Sequence, residues 1–265
     1  MSNNRPIGVF DSGMGGLTVL NSINRKMPNE DIIYYGDTAH LPYGNKSSES
    51  IIKYSLNISE FLKSKNIKML VVACNTASVY ALDTLKERLD IPVLGVVESG
   101  VNAALENSRK AIGIIGTYGT VKSMAYEMMI KEKDSSRDTY SRACPLFVPL
   151  IEEGWINNRI TREVAEVYLG GLRGKIDSII LACTHYPLIK DVIAGVFDRE
   201  IQVVDSAMEV AKSVGHILTD NALDNPDEKP GKLEYFVSDA PELFKENGSL
   251  FLGRQIDAVG FFGSE

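Results

Sequence analysis

The chain returns again and again to short runs in which nearly every side chain is apolar. Ile7–Phe10, Ile32–Tyr35, Lys68–Ala73, Val93–Val96, Ile112–Ile115, Leu146–Pro149, Ser178–Ala182, Gln202–Val204 and Ile256–Phe261 are all strand-sized. Stretches of helical length lie between them, near 15–26, 48–64, 76–89, 100–108, 120–132, 160–173, 188–197, 206–220 and 240–248. A run that is apolar throughout, rather than at alternate positions, describes a strand covered on both faces. Strands of that kind alternating with helices imply βαβ units and mostly parallel sheets, an α/β fold.

Three strand-end motifs occur twice, in the same order. Ile7-Gly8-Val9-Phe10-Asp11-Ser12-Gly13 matches Ile112-Gly113-Ile114-Ile115-Gly116-Thr117-Tyr118. Met69–Thr76, with its Ala73-Cys74-Asn75-Thr76 ending, matches Ser178–His185, which ends Ala182-Cys183-Thr184-His185. Val97-Glu98-Ser99 matches Val204-Asp205-Ser206. The pairs Ile7/Ile112, Cys74/Cys183 and Val97/Val204 are offset by 105, 109 and 107 positions. A period this long is not that of a solenoid; it describes two pseudo-symmetric α/β lobes. The expected division is residues 99–206 for the second lobe and 1–98 for the first. Residues 207–265 are assumed to return to the first lobe, although their strand-like Ile256–Phe261 could pair with either.

Bulk properties exclude several functions. With 265 residues, 44% hydrophobic and 24% charged, the chain can bury a sizeable core. A formal charge of −7 disfavours nonspecific binding to nucleic acid or to an anionic membrane. No apolar run is long enough for a membrane span, and no stretch near the N-terminus has the pattern of a signal peptide. Three cysteines with no C-x-x-C argue against a disulfide framework or a structural zinc site. The expectation is a cytoplasmic protein with free thiols.

In parallel α/β sheets, ligands bind beyond the carboxyl ends of the strands, and the repeated polar residues sit at such ends. Cys74 and Cys183 each open a polar segment leading into a helix, where partial positive charge and unpaired amides favour a thiolate. Cys144, followed by Pro145, reads as a packing residue. Paired thiols at equivalent ends of two related lobes suit an acid/base group on each side of one carbon, and if the lobes face each other these ends can converge on one cleft. Asp11-Ser12-Gly13-Met14-Gly15-Gly16 is a strand-to-helix turn carrying a carboxylate and a hydroxyl. It lacks the spacing of a phosphate-binding loop. His185, two residues beyond Cys183, is assigned a supporting role. Asp37–Gly44 and Glu152–Trp155 read as loops from their Pro and Gly content.

Several of these segments resemble the signatures of glutamate racemases, in the aspartate/glutamate racemase superfamily. They are Phe10–Val19, Tyr35–Gly44, Ala73–Ser78, Gly113–Thr117, Val148–Gly154 and Leu181–Leu188. They follow family order between residue 7 and about 210, with no departure at a motif residue. The resemblance implies cofactor-independent interconversion of L- and D-glutamate, with no metal, supplying D-glutamate for peptidoglycan. It implies Cys74 and Cys183 as the two bases, Asp11 supporting the first, and His185 with Glu152 supporting the second. Asp11, Ser12, Pro42, Tyr43, Gly44, Asn75, Thr76, Thr117, Thr184 and His185 fall at substrate-pocket positions. Homodimers are common in families of this kind.

Other readings compete. Aspartate or hydantoin racemisation, or a related decarboxylation, could use the same scaffold, although a decarboxylase could manage with a single cysteine. A non-catalytic two-lobe binding protein would need no thiols. A Cys/His hydrolase has no nominated oxyanion hole. A zinc site from Cys74, Cys183 and His185 lacks the usual ligand spacing.

Overall fold

Residues 3–197 and 200–263 are described by the computed structural model. The first strand, β1 (Ile7–Asp11), is buried at every position, as a run without a polar face must be. It leads into α1 (Leu17–Lys26), which buries Leu17, Leu20 and Ile23, one face of a helix. The chain continues through β2 (Ile32–Gly36), α2 (Ser48–Ser64), β3 (Met69–Val72), α3 (Asn75–Arg88) and β4 (Val93–Gly95). Two short 3-10 turns, Thr38–His40 and Tyr43–Asn45, lie between β2 and α2.

The second set comprises α4 (Val97–Asn107), β5 (Ala111–Gly116), α5 (Tyr118–Lys122), α6 (Ala125–Lys133), β6 (Asp138–Ala143) and α7 (Phe147–Glu152). It continues with α8 (Arg159–Leu169), β7 (Ser178–Ala182), α9 (Lys190–Ala194) and β8 (Gln202–Val204). The C-terminal segment adds α10 (Ser206–Asp220), β9 (Leu233–Val237), α11 (Pro241–Leu252) and β10 (Gly260–Phe261).

Residues up to Val96 and from Ala207 onward form one compact unit, and Val97–Ser206 form the other. Among the described residues the first unit holds a six-stranded sheet in the order β10-β9-β2-β1-β3-β4, and the second a four-stranded sheet, β6-β5-β7-β8. Among the described residues every strand pairing is parallel. The order β2-β1-β3-β4 has the same form as β6-β5-β7-β8, so β3 and β7, the strands that precede Cys74 and Cys183, occupy the same topological place. The C-terminal segment joins the first sheet through β9, which pairs with β2.

Leu146–Pro149 is not a strand. Residues from Phe147 on form α7, with Phe147 and Ile151 buried four positions apart. Pro149 sits in the first turn, where a missing N–H costs no intrahelical bond. Glu152 is accordingly the last residue of a helix rather than part of a loop. The expected helix over 120–132 is broken into α5 and α6 by Met124, whose φ is 55°. The strand expected over Ile256–Phe261 is confined to Gly260–Phe261. β6 and β9 were not anticipated. β6 lies at a sheet edge and alternates between exposed and half-buried, so it carries polar residues throughout.

At the amino end of β3, opposite the end that carries Cys74, Lys68 is buried. Its Nζ lies 2.5 Å from Glu30 Oε2 and donates to the carbonyls of Asn3 at 2.9 Å and Leu223 at 2.7 Å. Glu30 Oε1 accepts the amide of Asn225 at 2.8 Å. This pair ties the connection between α10 and β9 to the sheet. Removing one member of a buried pair leaves an uncompensated charge. Lys68→Met is expected to lower unfolding free energy by about 3–5 kcal/mol, read from the urea midpoint. Adding Glu30→Gln is expected to restore part of the loss.

Candidate functional site

In the first unit, register brings the polar strand ends to one level. Asp11 pairs with Gly36, and Phe10 with Val72, so Asp11, Asp37 and Cys74 follow one another across β1, β2 and β3. Asp11 is fully buried, and its Oδ2 accepts the amide of Gly13 at 3.0 Å. Gly16 is required beneath it, because a Cβ there would lie 2.5 Å from the Asp11 Cβ. A Cβ on Gly36 would likewise meet the Gly13 carbonyl oxygen at 2.5 Å. The glycine-rich turn therefore serves close packing around Asp11. The buried Tyr34 hydroxyl donates to that same Gly13 carbonyl at 2.8 Å. Burial, followed by the charges of Asp11 and Cys74, holds its pKa well above the usual phenol range.

Cys74 is the N-cap of α3, and its Sγ accepts the amide of Ala77 at 3.4 Å. The sulfur thus faces the positive end of a 14-residue helix, a setting that favours negative charge. Ser12 Oγ lies 3.6 Å from it. Asn75 and Thr76 occupy the first turn of α3 and are buried. Pro42 is exposed, whereas Tyr43 and Gly44 are buried in the turn after a cis Leu41–Pro42 bond. The Tyr43 hydroxyl donates to Asp37 Oδ2 at 2.5 Å. Burial, then the Asp37 charge, pushes its pKa far up, so it stays a neutral donor.

In the second unit, Gly116 pairs with Ala182, which sets Thr117 and Cys183 at neighbouring carboxyl ends. Thr117 caps α5 through the amide of Thr120 at 3.3 Å. Thr184 and His185 are buried in the turn after Cys183. His185 Nδ1 lies 4.0 Å from Cys183 Sγ, and its Nε2 lies 3.0 Å from Glu152 Oε1. Burial pulls the imidazole pKa down, but hydrogen bonds to Cys183 and Glu152, together with their charges, outweigh it and raise the pKa to about 10. His185 is therefore protonated at neutral pH and presents an N–H to the sulfur on one side and to the carboxylate on the other. Cys144 is different. Its thiol donates to the Arg142 carbonyl, and burial raises its pKa out of the working range.

Each cysteine thus has a charged or dipolar partner of its own, the α3 amide of Ala77 for Cys74 and His185 for Cys183. Asp37 and Ser238 were not singled out. Asp37 could have been found by analogy, since it follows β2 as Asp11 ends β1. Ser238 carries no sequence signal.

Two thiols thus lie at the carboxyl ends of topologically matching strands, β3 and β7. The chain belongs to the Asp/Glu/hydantoin racemase family, whose model matches residues 7–214. It is 49% identical to the glutamate racemase of Geobacter metallireducens over 257 residues, covering 96% of this chain and 95% of that one. The crystal structure of the Francisella tularensis glutamate racemase in complex with D-glutamate superposes with a TM-score of 0.93 at 38% identity, covering 98% of each chain. The Thermus thermophilus glutamate racemase, in complex with β-chloro-D-alanine, gives 0.90 at 40% identity, covering 99% of this chain and 98% of that one.

The His185 pKa has a direct consequence. Because it is raised in the folded state, the interaction stabilises the fold fully below about pH 6.5, the ordinary value. That contribution is lost as pH rises through about 10. Ring-nitrogen NMR is expected to show His185 titrating near pH 10. Glu152→Gln removes the charge and leaves a neutral acceptor while burial remains, so the midpoint should move down. An unchanged midpoint would contradict the assigned cause.

Proposed function

We propose that this chain is a cofactor-independent glutamate racemase that interconverts L- and D-glutamate by transferring protons at the α-carbon. The observation that carries this reading is the pair Cys74 and Cys183, at matching strand ends with different electrostatic support. One thiolate takes the α-proton from one face, and the opposite thiol gives its own proton to the other face. The first sulfur ends as a thiol and the second as a thiolate, so the reverse reaction starts from the state the forward one leaves.

The α-proton beside a carboxylate is weakly acidic, so negative charge must be stabilised as the bond breaks. Asn75, Thr76 and Thr184, with the amides of adjoining turns, are the donors for the α-carboxylate. Asp11 and Ser12 attend Cys74. His185, held by Glu152, attends Cys183. In this reading Pro42, Tyr43, Gly44 and Thr117 are further substrate-contacting residues. The D-glutamate so formed supplies peptidoglycan synthesis in the cytoplasm, and a homodimer is the expected assembly. Among the described residues no helix is long and apolar enough to cross a membrane.

Circular dichroism of L- and D-glutamate incubated with the purified protein, without added cofactor, tests the reading. Both enantiomers are expected to lose optical activity. Turnover of aspartate without glutamate would replace the substrate assignment. Cys74→Ser and Cys183→Ser are each expected to slow racemisation by about 10²–10⁴-fold, the usual worth of an acid/base group. A variant with near-normal rates in both directions would remove that cysteine from the mechanism.

A further inference from the structure

Four adjacent parallel strands of the first unit end in polar residues. Across β9, β2, β1 and β3 these are Ser238, Asp37, Asp11 and Cys74. Asp11 and Cys74 belong to the proposed chemistry. Asp37 and Ser238 are both buried, and neither has been given a role.

Their contacts form one construction. Ser238 Oγ donates to Asp37 Oδ1 at 2.7 Å, and the same oxygen accepts the amide of Ala39 at 2.9 Å. Tyr43 donates to the other oxygen, Oδ2, at 2.5 Å. His40 Nδ1 lies 2.8 Å and 3.0 Å from the two oxygens, and its ring stacks on Tyr54. Beside this, the amide of Asp239 donates to Thr38 Oγ1 at 2.9 Å, and Thr38 Oγ1 donates to the Asp239 carbonyl at 2.5 Å. One hydroxyl from the C-terminal segment thus holds both the Ala39 amide and the Asp37 carboxylate at the start of the loop. A buried carboxylate takes its orientation from its donors. Without the Ser238 hydroxyl, Oδ1 keeps only His40, the Ala39 amide loses its acceptor, and the carboxylate that fixes Tyr43 can turn.

We propose that Ser238 is a positioning residue: acting through Asp37, it fixes Tyr43 and the Pro42–Gly44 segment, and so sets affinity for the amino-acid substrate rather than the rate of proton transfer. This rests on the reading of Pro42, Tyr43 and Gly44 as pocket residues of a glutamate racemase. A contact made equally in ground and transition states changes KM and leaves kcat alone. Because Ser238 and Tyr43 act on the same carboxylate, their effects are coupled rather than additive.

The test is steady-state kinetics in both directions on the full chain, with urea midpoints confirming that each variant is folded. Ser238→Ala is expected to raise KM for L- and D-glutamate about 5–10-fold with kcat within about twofold. Tyr43→Phe is expected to do likewise, and the double variant to be no worse than the poorer single one. Asp37→Asn, which preserves volume, provides the same KM-selective readout should Ser238→Ala fail to fold. An unchanged KM in a folded variant, a loss confined to kcat, or additive effects of Ser238→Ala and Tyr43→Phe would overturn the proposal. A wild-type protein that does not racemise glutamate would instead remove the underlying functional reading before any variant is compared.

Discussion

A parallel strand covered on both faces has room for polar chemistry only where it ends. Ile7, Val9 and Phe10 are fully inaccessible, and β3 is buried along its whole length, so neither strand offers a polar face. The first side chains free of that constraint are those at the carboxyl ends, and parallel register brings them level. Asp11, Asp37, Cys74 and Ser238 owe their proximity to this rule rather than to closeness in sequence. Thr117 and Cys183 are brought together the same way in the second unit. After β3 and β5 the turn that follows begins a helix, so a positive helix end and unpaired amides arrive at the same place.

The two cysteines share this position but not their surroundings. Cys74 is supported by a long helix end, the Ala77 amide and the nearby Ser12 hydroxyl, within a tight glycine turn around Asp11. Cys183 is followed only by a short 3-10 turn, and its support comes from a side chain instead, the imidazolium of His185 backed by Glu152. Such inequality suits a reaction whose two substrates are mirror images at one carbon but are held in a pocket of one hand.

Much of this was legible in the sequence because the central strands are apolar throughout and end in distinctive polar residues. The runs at Ile7, Ile32, Met69, Ile112 and Ser178 could hardly be anything but buried strands. Where burial was partial, the pattern failed. β6 is an edge strand with solvent on alternate positions, so Asp138–Ala143 looks like a loop. In β9, Glu234 interrupts the apolar run. Leu146–Pro149 misled for the opposite reason: it is apolar enough for a strand, but Phe147 and Ile151 recur at helical spacing and Pro149 falls where a helix tolerates it. The Asp37–Ser238 contact joins residues 201 positions apart and follows from the β2–β9 pairing, which sequence alone did not reveal.

The central claim is that two different thiols serve the two faces of the α-carbon, and the fate of the isotope in D2O tests it most directly. Starting from L-glutamate and stopping at early conversion, the D-glutamate formed should carry deuterium at the α-position while unreacted L-glutamate keeps its proton. The mirror result should follow from D-glutamate. Product that retains the original α-proton would mean that one base carries it across both faces, and would contradict the account.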